Sequence, residues 1–308
     1  MSNHRAILIA GPTACGKSAV ALALCERLGG VIINADSMQV YSELRILSAR
    51  PSEDDEARAP HALYGFVSAA HAYSVGRWLE DVKAAITQAE RQGRIPIITG
   101  GTGLYFKALL EGLSPIPDIP PHIRDHWRGQ TSSHSAEELH KILSERDPEM
   151  ASRLFSSDPQ RVIRALEVLD ATGRSLSHWQ NEPGKPVLTQ QQTGRIFVSP
   201  PRETLYARID ARFDAMLEMG ALEEVSAFAK LDLDPNLPVM RALGVMPLIQ
   251  MLSGKISRDE AATRTKTDTR RYAKRQMTWA KSNMITWKSI FVKDSESMID
   301  KIFAIIDV

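Results

Sequence analysis

The chain has 308 residues, 43% hydrophobic and 24% charged, with a net charge of +1 at neutral pH. It is long enough for a large core in one interrupted domain or two, and its near-neutral balance supplies no global field for a polyanion or a membrane, so such a partner needs a local patch. Only two cysteines, Cys15 and Cys25, are present, which excludes a disulfide framework or a zinc set and points to a reducing, cytoplasmic setting; no apolar run reaches the length of a membrane span.

In chain order, Ala6-Ile-Leu-Ile-Ala10 reads as a buried strand and Ser18 to Leu28 as a helix stopped by Gly29-Gly30. Between them lies Gly11-Pro12-Thr13-Ala14-Cys15-Gly16-Lys17-Ser18, which has the spacing of a phosphate-binding loop. Its backbone N–H groups and the helix N-terminus suit a diphosphate or longer phosphate chain, with Lys17 neutralising charge and the Ser18 hydroxyl available to Mg²⁺. A second strand, Val31 to Ala35, ends at Asp36-Ser37-Met38-Gln39. A carboxylate there is open to three readings: a Mg²⁺ ligand, a general base or a helix cap. Ser37 and Gln39 add groups that suit the edge of a base. A helix capped by Ser74 runs to about Gln92, a third strand spans Ile95 to Thr99, and Gly100-Gly101-Thr102 turns into a helix from Gly103 to Glu111.

Apolar strands alternating with helices imply an α/β fold with a parallel sheet covered on both faces, and ligands at the carboxyl ends of its strands. Composition changes at Pro115-Ile-Pro-Asp-Ile-Pro-Pro121, after which strand signals vanish. Ser135 opens a capping box with Glu138, and Asp158-Pro159 caps a helix that Gly173 ends. Residues 115–194 thus read as an all-helical insertion in a core of 1–114 and 195–308, which a strand at Arg195 to Ser199 re-enters. Near the C-terminus, Arg264, Lys266, Arg270, Arg271, Lys274, Arg275 and Lys281 face a single acid, Asp268. At helical spacing Arg264, Arg271, Arg275 and Lys281 share a face near Trp279, as expected of a phosphate-tracking helix with an aromatic for stacking.

Taken together, Gly11–Ser18, Asp36–Gln39, Gly100-Gly-Thr-Gly-Leu-Tyr105, Asp158-Pro-Gln-Arg161 with Arg164, and Thr269-Arg-Arg-Tyr-Ala-Lys-Arg-Gln-Met-Thr-Trp279 resemble the tRNA dimethylallyltransferase family of bacterial type. The resemblance implies a P-loop NTPase-like core with Mg²⁺ as cofactor. It also implies transfer of a dimethylallyl group from dimethylallyl diphosphate to the exocyclic amine of the adenosine 3′ to the anticodon. By the same resemblance Asp36 is the base, Thr102 orients it, and Arg212 with Lys17 holds the diphosphate. The anticodon stem-loop would meet Asp36, Ser37, Met38, Gln39, Thr102, Arg124, Gln160, Arg161, Val162, Ile163, Arg164, Arg241 and Gly244, with Arg271 and Arg275 on the basic helix; a monomer is expected. Two departures from the family pattern bear on contacts, Leu47 where a glycine is usual and Val245 where a tyrosine is; Cys15 and Ser18, in place of the commoner Ser and Thr, are mild changes. The competing expectations are transfer to free AMP, a P-loop kinase, and an RNA-binding module without catalysis.

Overall fold

The computed structural model describes residues 4–290 and Ile302. Its contacts divide the chain into one unit of Met1–Leu110 with Val187–Val308 and another of Glu111–Pro186.

The chain begins β1 (Ala6–Ala10), α1 (Lys17–Leu28), β2 (Val31–Asn34), α2 (Glu53–Arg58), β3 (His61–Ala62), α3 (Val75–Arg91), β4 (Pro96–Gly100) and α4 (Gly103–Glu111). The stops and starts are those the residue types dictate. Gly29 ends α1 in the left-handed region at φ 62°, and Ser74 caps α3 by accepting from the Arg77 N–H. The acidic run Glu53–Glu56 lies in α2, behind a capping box of Ser52 and Asp55.

The second unit contains α5 (Pro121–Gly129), α6 (Ala136–Arg146), α7 (Pro148–Ser152), α8 (Pro159–Thr172) and α9 (Leu176–Gln180). It has its own core, built on Trp127, Leu139, Leu143, Met150, Val162 and Leu166, each large side chain contributing ~1.5–3 kcal/mol when fully buried. Glu167, 2% exposed, is neutralised by Arg128 and Arg164, and Trp127 Nε1 donates to Asp170 at 2.6 Å.

The chain then returns through β5 (Thr193–Val198), α10 (Arg202–Glu218), α11 (Ala221–Ala229), α12 (Val245–Leu252), α13 (Arg258–Asn283) and β6 (Lys288–Ile290). The boundaries of the helical unit lie at 111 and 186, earlier than the 115 and 194 expected from composition. The reason is local: the Val187 and Leu188 N–H groups both donate to the Leu109 carbonyl, at 3.0 and 3.2 Å, and Leu188 is buried in the core.

The six strands are all parallel in the order β3-β2-β4-β1-β5-β6. Alternation along the strands sends Leu8, Ile33, Ile98 and Phe197 to one face, where α3 and α4 pack. Ile7, Ile9, Ile32, Ile97 and Ile196 go to the other, against α1 and α10. The edge strands β3 and β6, of two and three residues, were not foreseen, being too short to carry a periodic signal. The strand order has a functional consequence. Because β4 lies between β2 and β1, the loops that follow all three strands sit side by side at the carboxyl edge of the sheet.

Candidate active site

The loop after β1 turns through Ala14 (φ 63°) and Gly16 (φ 95°) into the first turn of α1. Gly11 has no room for a side chain, since a Cβ there would stand 2.6 Å from Cys15 Sγ and 2.7 Å from the Val198 carbonyl. Cys15 is buried, and burial pushes its thiol up despite the nearby Lys17, so it serves as packing beneath the loop. Lys17 Nζ donates to the Pro12 carbonyl at 3.4 Å. The Ser18 hydroxyl is exposed on the first turn.

Two arginines one turn apart on α10 reach the same loop. Arg208 donates to the Cys15 carbonyl at 3.5 Å, and Arg212 to the Thr13 hydroxyl. Burial disfavours the charge on Arg212, while the nearby Cys15 and Asp36 favour it. The result is a desolvated cation beside backbone N–H groups, a ready place for an anion.

Asp36 leaves the end of β2 on a turn held by the Asn34 side chain. That side chain accepts from the Asp36 N–H at 2.8 Å and donates to the Asp36 carbonyl at 2.9 Å. Asp36 Oδ1 accepts from the Met38 N–H at 3.0 Å. No helix follows Asp36, so it is not a helix cap; one oxygen closes a local turn and the other makes no bond in it. Thr102 closes the turn from the other side: its N–H donates to the Ala35 carbonyl, and its hydroxyl accepts from the Ser37 N–H at 2.9 Å. Gly100 permits this approach, because a Cβ there would overlap the Ala35 carbonyl group at 2.1 Å. Gln39 turns away from the turn and donates to the Ser48 and Ala49 carbonyls, at 3.0 and 2.8 Å.

Two residues that sequence reasoning passed over join the halves. Gln276 on α13 accepts from the Thr13 N–H at 2.9 Å and donates to the Gly101 carbonyl at 2.9 Å. One side chain thus ties the phosphate loop to the turn that carries Thr102. Tyr272, one turn earlier, pairs with Thr102 and Gln276, and burial together with the Asp36 charge pushes its phenol up. Both residues lie in the basic motif near the C-terminus, but their only sequence signal is the i, i+4 spacing.

A cavity of about 310 Å³ lies here, with Thr13, Asp36, Ser37, Arg212, Arg241 and Arg275 on its wall. A more apolar one of about 230 Å³, lined by Phe106, Phe197, Tyr272, Gln276 and Trp279 among others, shares Tyr272 and Arg275 with it. Met38, Leu47 and Ser48 also face the first cavity. Of the two departures, Leu47 is buried against Gly244, whose φ is 88°. Val245 is wholly buried in the core, so its side chain faces away from any ligand.

The remaining expected RNA contacts distribute differently. Arg124, Gln160, Arg161 and Arg164 belong to the helical unit. Arg161 is exposed beside Asp158, and Arg164 is partly held by Glu167. Val162 and Ile163 pack their side chains into the core of that unit. On α13 Arg271 and Arg275 are exposed. Lys266 and Arg270 instead pair with Asp214 and Asp210 of α10, so the basic run is less one-signed than its sequence suggests.

Among the described residues no group of three or more His, Cys, Asp or Glu could hold a metal, and no helix is long and apolar enough to cross a membrane. One exposed serine hydroxyl at a phosphate loop is a hard oxygen donor. It suits Mg²⁺ whose other ligands come from a diphosphate and water, the usual way that ion is held.

Fold and site define a protein of the P-loop class in which a carboxylate turn is tied to the phosphate loop. The comparisons narrow the class. The family model described as IPP transferase matches residues 39–283, and that described as isopentenyl transferase matches residues 4–61. The chain belongs to the IPP transferase family. It is 57% identical over 279 residues to a tRNA dimethylallyltransferase of Methylocella silvestris, covering 91% of this chain and 92% of the relative. It is 56% identical over 275 residues to one of Rhodopseudomonas palustris, covering 89% and 87%. Among solved structures it resembles a tRNA isopentenylpyrophosphate transferase of Bacillus halodurans, with TM-score 0.70, 29% identity and coverage of 98% and 95%. It also resembles a eukaryotic dimethylallyltransferase acting on tRNA, with TM-score 0.82, 26% identity and coverage of 98% and 78%.

Proposed function

We propose that this chain transfers a dimethylallyl group from dimethylallyl diphosphate to the exocyclic amine of the adenosine 3′ to the anticodon of tRNA. The observation that carries this reading is the Gln276 bridge, which couples the phosphate loop to the turn presenting Asp36 and Thr102. A kinase also sets a carboxylate beside its phosphate site, so the choice of prenyl over phosphoryl transfer rests on the 56% and 57% identity to tRNA dimethylallyltransferases.

In this mechanism the amine nitrogen of adenine attacks the allylic carbon as the bond from that carbon to the diphosphate oxygen breaks. The oxygen keeps the bonding pair. Lys17, Arg212 and the loop N–H groups stabilise the charge that develops there; Ser18 would hold Mg²⁺, which would add to that neutralisation. The proton released from the amine passes to the free oxygen of Asp36. Thr102 holds the Ser37 N–H and with it the direction of the carboxylate. The adenosine must leave its stack to enter, at a cost lowered in an anticodon loop. Arg124, Gln160, Arg161 and Arg164 of the helical unit, with Arg241, Arg271 and Arg275, would hold the stem-loop, the protein acting as a monomer.

The test is transfer of radiolabelled dimethylallyl from its diphosphate, with Mg²⁺ and no ATP, to unmodified tRNA and to free AMP in parallel. Label in tRNA alone is expected. Label in AMP would change the acceptor, and label in neither would return the kinase and binding-module readings.

A further inference from the structure

The segment 45–49 forms part of the wall beside Asp36: Leu47 and Ser48 line the charged cavity, and the Ser48 and Ala49 carbonyls take both bonds of the Gln39 amide. Ala49 has φ 56°, a left-handed conformation unusual for a residue with a side chain. The loop makes turn bonds of its own, from the Ala49 N–H to the Ile46 carbonyl at 2.9 Å and from the Arg50 N–H to the Arg45 carbonyl at 3.0 Å. Glu224, on α11 and far away in sequence, holds its first three N–H groups from outside. Its carboxylate accepts from three successive backbone N–H groups, Arg45 and Ile46 at 2.7 Å and Leu47 at 2.8 Å. Successive N–H groups pointing to one place form an anion nest, and here the nest is filled from within the protein.

We propose that Glu224 is a positioning residue for the acceptor: by filling this nest it sets the Leu47–Ser48 wall and, through the Ser48 and Ala49 carbonyls, the Gln39 end of the Asp36–Gln39 turn. The inference rests on the tRNA-prenylation reading above. Glu224 touches neither the phosphate loop nor Arg212 in any hydrogen bond described, so its effect should fall on the acceptor and spare the donor. The carboxylate has two oxygens for three donors, whereas an amide offers one, so glutamine can hold only part of the nest.

The experiment uses the full chain as wild type, Glu224→Gln and Glu224→Ala, titrating tRNA and dimethylallyl diphosphate separately. The KM for tRNA should rise about tenfold in the alanine variant, equivalent to about 1.4 kcal/mol of acceptor binding, and less in the glutamine variant. The KM for dimethylallyl diphosphate should stay at the wild-type value. Hydrogen exchange at the Arg45, Ile46 and Leu47 amides should quicken in the same order. Equal rises in both KM values, as a general loss of structure would produce, overturn the proposal; so does an unchanged tRNA KM once those amides have lost protection. Should the alanine variant not fold, the glutamine variant carries the same comparison. No transfer by the wild type would strike the parent reading instead, and filter binding of tRNA by the same variants would then decide the role of Glu224.

Discussion

In the proposed reaction Asp36 divides its work between two oxygens. Oδ1 accepts the Met38 N–H and holds the turn, so a substitution that keeps this acceptor isolates the chemistry of the other. Asp36→Asn preserves the turn and cannot take a proton. Its transfer rate should fall ~10²–10⁴-fold, the usual worth of a positioned base, while tRNA affinity is retained. Single-turnover transfer and filter binding measure the two separately, and a matched loss of binding would sink the base assignment. Asp36, Thr102, Lys17 and the loop were legible as residues, because each follows a strand end or a fixed spacing. Gln276 was not, since its two partners are 263 and 175 positions away and nothing in its neighbourhood announces them.

At the scale of elements, α13 shows how a charge run can mislead. Its buried stripe is Ala261, Thr265, Thr269, Ala273 and Ala280, small residues that allow close packing against α10 and α12. On the α10 side Lys266 and Arg270 meet Asp214 and Asp210; Arg271 and Arg275 remain exposed for a polyanion. The two groups should therefore behave differently. Replacing Arg271 and Arg275 together by alanine should weaken tRNA binding and reduce the salt slope by about two, ~1 per phosphate contact. Lys266→Ala should leave that slope unchanged and cost at most about 1 kcal/mol of stability, as surface ion pairs do. Binding titrations across salt, with a denaturant melt, check both; a slope altered equally by either change would mean the helix acts as an undivided patch.

At the scale of the whole molecule, the helical unit of 111–186 has a core of its own, separate from those on the two faces of the sheet. The cut ends would already be neighbours, because the Leu109 carbonyl accepts from Val187 and Leu188. A protein with residues 111–186 excised and a short glycine link in their place should remain folded and bind dimethylallyl diphosphate, since the phosphate loop, Arg212 and Gln276 all lie outside the cut. It should lose most of its tRNA affinity, together with Arg124, Gln160, Arg161 and Arg164. Calorimetry of donor binding beside tRNA filter binding would show this; undiminished tRNA affinity would remove the helical unit from recognition.

The amino-acid sequence by itself determined the strand–helix alternation, the caps at Ser74, Ser135 and Asp158, the phosphate loop, and the chemical types placed at Asp36 and Thr102. These are properties of the backbone over a few residues: a period, a cap, a glycine where only glycine fits. Tertiary structure alone decided that β4 lies between β2 and β1, which makes three separate loops into one site. It also decided that Val162 and Ile163 are core, that α10 neutralises part of the basic helix, and that Glu224 closes the nest at 45–47. Those outcomes depend on which surfaces meet after collapse, and neither spacing nor propensity within one segment encodes the identity of a partner that folding brings from far along the chain.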